Sequence, residues 1–143
     1  MRLPFLILLL MPGLFSCKKD EKHECSLTMN EISGNYKLTR VETVSYNTGT
    51  VQDITSTISN CELSGIYSLN NDSTAIYSEQ GTCNGNGNGL WYLSNIWLYT
   101  SFNSGDGNKI SSTLIEGWDC SNLVLITRYP SVNYNYRYTL TRQ

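Results

Sequence analysis

The sequence predicts an all-β protein: an up-and-down antiparallel β-barrel of about eight or nine strands with a short N-terminal helical turn. Three observations predict it. The composition holds 10 Tyr and 11 Gly with abundant Asn, Ser and Thr, a mixture that favours strands and turns over helices. Near the C-terminus, Val132, Tyr134, Tyr136, Tyr138 and Leu140 alternate strictly with Asn133, Asn135, Arg137, Thr139 and Thr141. That period of two marks a strand with one buried and one wet face. Short β-rich runs also recur along the chain, separated by turn-forming clusters. Such a meander fits a barrel or a sandwich, and the barrel leaves no open edge.

Residues 26–32 carry the longest helical pattern of the domain. Strands are expected at 35–46 and 51–58, joined by Asn47-Thr48-Gly49. Two more, 66–69 and 74–78, flank Asn70-Asn71-Asp72. Segments 90–93 and 96–102 pair tightly about Ser94-Asn95. The cluster from Asn103 to Asn108 signals a hairpin ahead of a strand at 109–118. Ser121-Asn122 and Tyr129-Pro130-Ser131 bracket a strand at 123–128, and 132–141 completes the set.

The first residues are of another kind. Arg2 precedes an apolar run from Leu3 to Leu10, broken by Pro4 and followed by Met11-Pro12-Gly13. The run falls short of the roughly 20 apolar residues that a membrane-spanning helix needs. It reads as a secretory signal peptide over residues 1–16. Residues 17–25 form a tether whose run Lys18-Lys19-Asp20-Glu21-Lys22-His23-Glu24 is too charged to enter a core. The barrel domain is expected over 26–143.

The junction Leu14-Phe15-Ser16-Cys17 resembles the lipobox of bacterial lipoproteins, with the larger Phe15 as its one departure. The resemblance implies cleavage before Cys17 and acylation of that residue. Three acyl chains would hold the protein firmly, since each buried methylene is worth about 0.8 kcal/mol. An ordinary secretory signal with an incidental cysteine is the alternative. The charged run after Cys17 resembles the surface-export signal of Bacteroidota lipoproteins. These resemblances imply a lipid-anchored outer-membrane protein exposed at the cell surface.

Five cysteines are an odd number for an exported chain. With Cys17 assigned to lipid, Cys25, Cys61, Cys83 and Cys120 remain, and they allow three pairings. Cys61–Cys83 would clip a hairpin-sized segment, and Cys25–Cys120 would fix the start of the domain to a late turn. Metal binding is not expected, because close-paired ligands of the C-x₂-C kind are missing.

Little in the chain points to catalysis. The single histidine, His23, lies in the tether, and neither a G-x-S-x-G elbow nor a dinucleotide fingerprint occurs. Cys83 to Gly89 looks like a glycine loop for phosphate but lacks the lysine and the helix such loops need, so it reads as a flexible connection. The run 103–108 lacks the alternating carboxylates of a calcium loop. A carboxylate-based hydrolase would require two acids held in one cleft. The formal charge of −2 becomes −3 when Arg2 leaves with the signal peptide, and neither value draws nucleic acid. No enzyme activity, no cofactor and a monomer are expected.

Binding is the better prospect. Arg40 and Glu42 share the parity of Tyr36 and Leu38 and point into the barrel unless a bulge intervenes. Tyr67, Tyr77, Trp91 and Trp97 combine stacking faces with polar tips, as do Tyr136 and Tyr138. Each either lines a cavity or fills the core. Ser33-Gly34-Asn35-Tyr36-Lys37-Leu38, after its helical lead-in, resembles the Gly-x-Trp entry strand of lipocalins, with Tyr36 in the Trp position. Cys61 before a strand, Trp91-Tyr92-Leu93, Trp97-Leu98 and the final tyrosine strand resemble in order the lipocalin-like domain of Bacteroidota lipoproteins. That resemblance implies a calyx with a pocket at one mouth for a small apolar or amphipathic ligand.

Overall fold

The computed structural model describes residues 25–83, 85–104, 107–129 and 132–143. The expected signal peptide, the expected lipidation residue Cys17 and most of the expected tether, His23 included, lie outside them, as do Asn84, Gly105, Asp106, Pro130 and Ser131. Among the described residues, nine strands form one antiparallel sheet. They are β1 (Gly34–Ser45), β2 (Val51–Asp53), β3 (Ile66–Leu69), β4 (Thr74–Ser78), β5 (Asn86–Ser94), β6 (Trp97–Ser104), β7 (Gly107–Trp118), β8 (Asn122–Arg128) and β9 (Tyr134–Arg142). From β3 to β9 each strand pairs with the next, and β1 joins β3 to β9. The expected up-and-down barrel is therefore closed by eight strands. β2 is an extra strand folded against the far half of β1.

Two short helices accompany the sheet. In α1 (Met29–Ile32), the Thr28 hydroxyl caps the Glu31 amide and Ile32 is fully buried. The second, α2 (Asn60–Ser64), was not expected. The anticipated strand at 51–58 ends at Asp53, whose carboxylate accepts from both the Thr55 amide and the Thr55 hydroxyl. That Asx-type turn competes with the sheet ladder and leads into a 3-10 turn at Thr55–Thr57. Ser59 then caps the Glu62 amide and starts α2.

The glycine-rich segment is also more regular than expected. β5 begins at Asn86, so Gly87 and Gly89 lie within a strand. An alanine Cβ at Gly89 would lie 1.6 Å from the Ser101 carbonyl oxygen, so glycine lets β5 and β6 approach here.

The core sits at one end of the barrel, built from Ile32, Tyr36, Leu69, Ala75, Trp91 and Leu123. Arg142, at the end of β9, closes this end. Its guanidinium donates to the carbonyls of Glu31 and Ser33 and to the Tyr36 hydroxyl, and lies 5.0 Å from the centroid of the Trp118 ring. Disulfides join Cys25 to Cys120 and Cys61 to Cys83. The first ties the start of the domain to the β7–β8 turn, and the second ties α2 to the segment between β4 and β5.

Candidate functional site

Above the closed end the barrel is hollow. A cavity of about 330 Å³ lies between the strands and runs out to the exposed Tyr129 at the opposite mouth. Strand alternation builds it. Each strand sends every second side chain inward, giving Leu98, Thr100 and Phe102 on β6, Ser111 and Thr113 on β7, Leu125 and Thr127 on β8, and Tyr138 and Leu140 on β9. Leu38 and Leu69 complete an apolar floor, and Tyr67 and Glu62 contribute from β3 and α2. One wall carries hydroxyls, of which Thr100 and Ser111 bond each other at 2.8 Å. The other presents phenols.

Those phenols are held neutral. Burial pushes Tyr67 up to about 12, with the negative charges of Glu62 and Glu79 adding to the effect. Tyr138 is raised chiefly by burial, then by Tyr129, Tyr136 and Glu62. Both therefore offer O–H donors at ordinary pH.

The sequence candidates divide among several places. Tyr67 and Tyr138 line the cavity. Tyr77 packs against Tyr67 with ring centroids 4.7 Å apart and donates to Glu79. Tyr136 lies beside Tyr134 and Tyr138 near the mouth. Tyr36 and Trp91 are fully buried at the closed end, where the Trp91 indole donates to the Asn70 carbonyl, so they shape the floor without lining the cavity.

Three expected inward residues point outward. β1 bulges at Thr39, where Leu38 pairs with Leu140 but Arg40 with Thr139. The extra residue reverses the parity of the strand beyond it. Arg40 and Glu42 thus lie on the outer face, in a chain of alternating charge. Arg40 bridges Asp53 at 3.1 Å and Glu42 at 2.9 Å, and Arg137 reaches Glu42 at 3.7 Å and Glu116 at 2.8 Å. Glu42 is almost fully buried there and retains two cationic neighbours, as a buried charge requires. Trp97 alternates with the inward Leu98 and is 38% exposed. It shares the outer face with Leu90 and Tyr92, beside the exposed turn residue Ile96, and the rings of Tyr92 and Tyr99 stack 4.6 Å apart.

Several lining residues escaped the sequence reading. Thr113, Thr127 and Phe102 are carried by the same alternation that exposes Tyr138, and a stricter parity count would have included them. Glu62 had a signal of its own: Ser59-x-x-Glu62 is a capping-box spacing. The ligand atoms of Cys61, Glu79 and Cys83 lie within 4.8 Å of one another, but both sulfurs belong to the disulfide and Glu79 accepts from Tyr77 and the Gly85 amide. Comparison with family models, with curated proteins and with solved structures finds no significant match to this chain.

Proposed function

We propose that this chain is a non-enzymatic, lipid-anchored envelope protein whose barrel holds one small apolar or amphipathic ligand. The observation that carries the binding reading is the cavity of about 330 Å³. Its size is within the range of about 300–1,000 Å³ common for small-molecule sites. An apolar floor beneath hydroxyls, phenols and one carboxylate matches a ligand with an apolar body and a polar end. The up-and-down barrel, with Tyr36 buried at its closed end, is in keeping with the resemblance to lipocalin-like lipoproteins. The anchor rests on the sequence around Cys17 and on the charged run after it.

The test is titration with the uncharged fluorophore N-phenyl-1-naphthylamine. Saturable enhancement at one site per chain is expected. In Thr113→Phe, which fills the cavity from β7, affinity falls at least about tenfold, because the added ring takes the ligand's space. Unchanged binding in a folded variant would place the fluorophore elsewhere and sink the reading. Mass spectrometry of the N-terminal peptide checks the anchor separately, and a peptide carrying unmodified Cys17 rejects it.

A second reading has its own support. The exposed residues Leu90 and Tyr92 on β5, Trp97 on β6 and Ile96 in the turn between them form the kind of surface that a cell-surface interaction module uses.

A further inference from the structure

The cavity has a polarity that restricts its ligand. Among the described residues that line it, Glu62 is the one charged side chain. It enters from α2, at the end of the cavity where Tyr67, Tyr129 and Tyr138 present their rings. A carboxylate beside several aromatic rings attracts an ammonium group in two ways, by direct charge and by the ring quadrupoles. Among the described lining residues, none offers an anion a countercharge against Glu62. The described arginines are committed elsewhere: Arg40 and Arg137 bridge acids on the outer face, Arg142 closes the far end, and Arg128 alternates with the inward Thr127 and is exposed. The floor beneath is formed by Leu38, Leu98, Leu125 and Leu140.

We propose that the site takes a cationic amphiphile, with its apolar chain on the leucine floor and its ammonium head between Glu62 and the tyrosine rings at the mouth. This rests on the reading of the cavity as a ligand site and adds the charge of the ligand. α2 is fixed for the task. Ser59 caps the helix, and the Cys61–Cys83 disulfide ties the residue next to Glu62 to the β4–β5 segment.

Isothermal titration of the full chain with decyltrimethylammonium, decanol and decanoate, at low ionic strength and below micelle formation, separates the effects of charge and chain. The cation is expected to bind about tenfold more tightly than decanol, the scale of a partly exposed carboxylate and cation–π contact together. Decanoate should bind more weakly than decanol. Glu62→Gln should remove the advantage of the cation over decanol. Glutamine preserves the capping-box position, so α2 is retained. A cation preference that survives in Glu62→Gln overturns the proposal. So does tightest binding of decanoate. Equal binding of all three probes overturns the charge preference and leaves the pocket standing, whereas binding of none removes both.

Discussion

Arg142 does at one residue what a whole loop does in many barrels. Its guanidinium satisfies backbone carbonyls on both sides of the turn between α1 and β1 and covers the rings of Tyr36 and Trp118. Tyr36 in turn donates to the Ile32 carbonyl at 2.5 Å. Arg142→Ala would remove charged hydrogen bonds to half-buried acceptors and a stacking face from Tyr36 and Trp118, and a loss of about 3 kcal/mol in chemical denaturation is expected. Arg142→Lys should recover less than half of it, because an ammonium lacks the planar fork and the stacking face. Tyr67 gives a pH prediction. Its folded pKa of about 12 exceeds the usual 10.0, so the folded state holds the proton more tightly than the unfolded chain. The stability contributed by the neutral phenol is complete below pH 10 and is lost as pH rises through about 12. Phenolate absorbance and circular dichroism followed together should show the last tyrosines ionising as the barrel unfolds. Full ionisation of every tyrosine near pH 10 with the fold intact would contradict this.

At the scale of elements, β5 depends on its glycines for different reasons. Gly89 lies so close to the Ser101 carbonyl that any Cβ forces the strands apart, whereas a Cβ at Gly87 would rest 3.4 Å from the Asn103 carbonyl oxygen, close to ordinary contact. Gly89→Ala should therefore cost more than about 2 kcal/mol, and Gly87→Ala less than about 1 kcal/mol. Urea midpoints of the two variants make the comparison, and equal midpoints would deny that close approach fixes the pairing. β1 is an element legible in its existence but not in its outcome. Its residues alternate well enough to announce a strand, yet Thr39 adds a residue on one side and turns Arg40 and Glu42 to the outside. Nothing in a period-two pattern reports where a bulge will fall, because a bulge is chosen by how β1 meets β9. α2 was missed for a different reason. Five residues are too few to display a helical period, and only the cap at Ser59 and Glu62 announces it.

Over the whole molecule, closure unites segments that are far apart in the chain. Thr39 and Thr141, 102 residues apart, hydrogen-bond across the β1–β9 seam at 2.8 Å. Cys25 and Cys120, separated by 95 residues, staple the same region from below. Cross-linking so long a loop limits the unfolded chain more than the 22-residue separation of Cys61 and Cys83 does. Replacing Cys25 and Cys120 by serine should cost about 5 kcal/mol, and replacing Cys61 and Cys83 about 3 kcal/mol. Thermal denaturation of the two double variants tests that order, and a larger loss from the shorter loop would reverse it. The all-β class and the tyrosine strand β9 were legible in the sequence, because alternation and turn chemistry are local properties that a strand carries in any surroundings, whereas the place of β2 outside the barrel was not. The two cysteine pairs were also within the sequence's reach, as one of three arrangements. Packing in three dimensions set the hollow above Tyr36 and Trp91, the outward turn of Arg40 and Glu42, and the place of Glu62 at the mouth. Those depend on register, on a bulge and on how fully distant side chains fill the space between strands, and each is set when the strands meet.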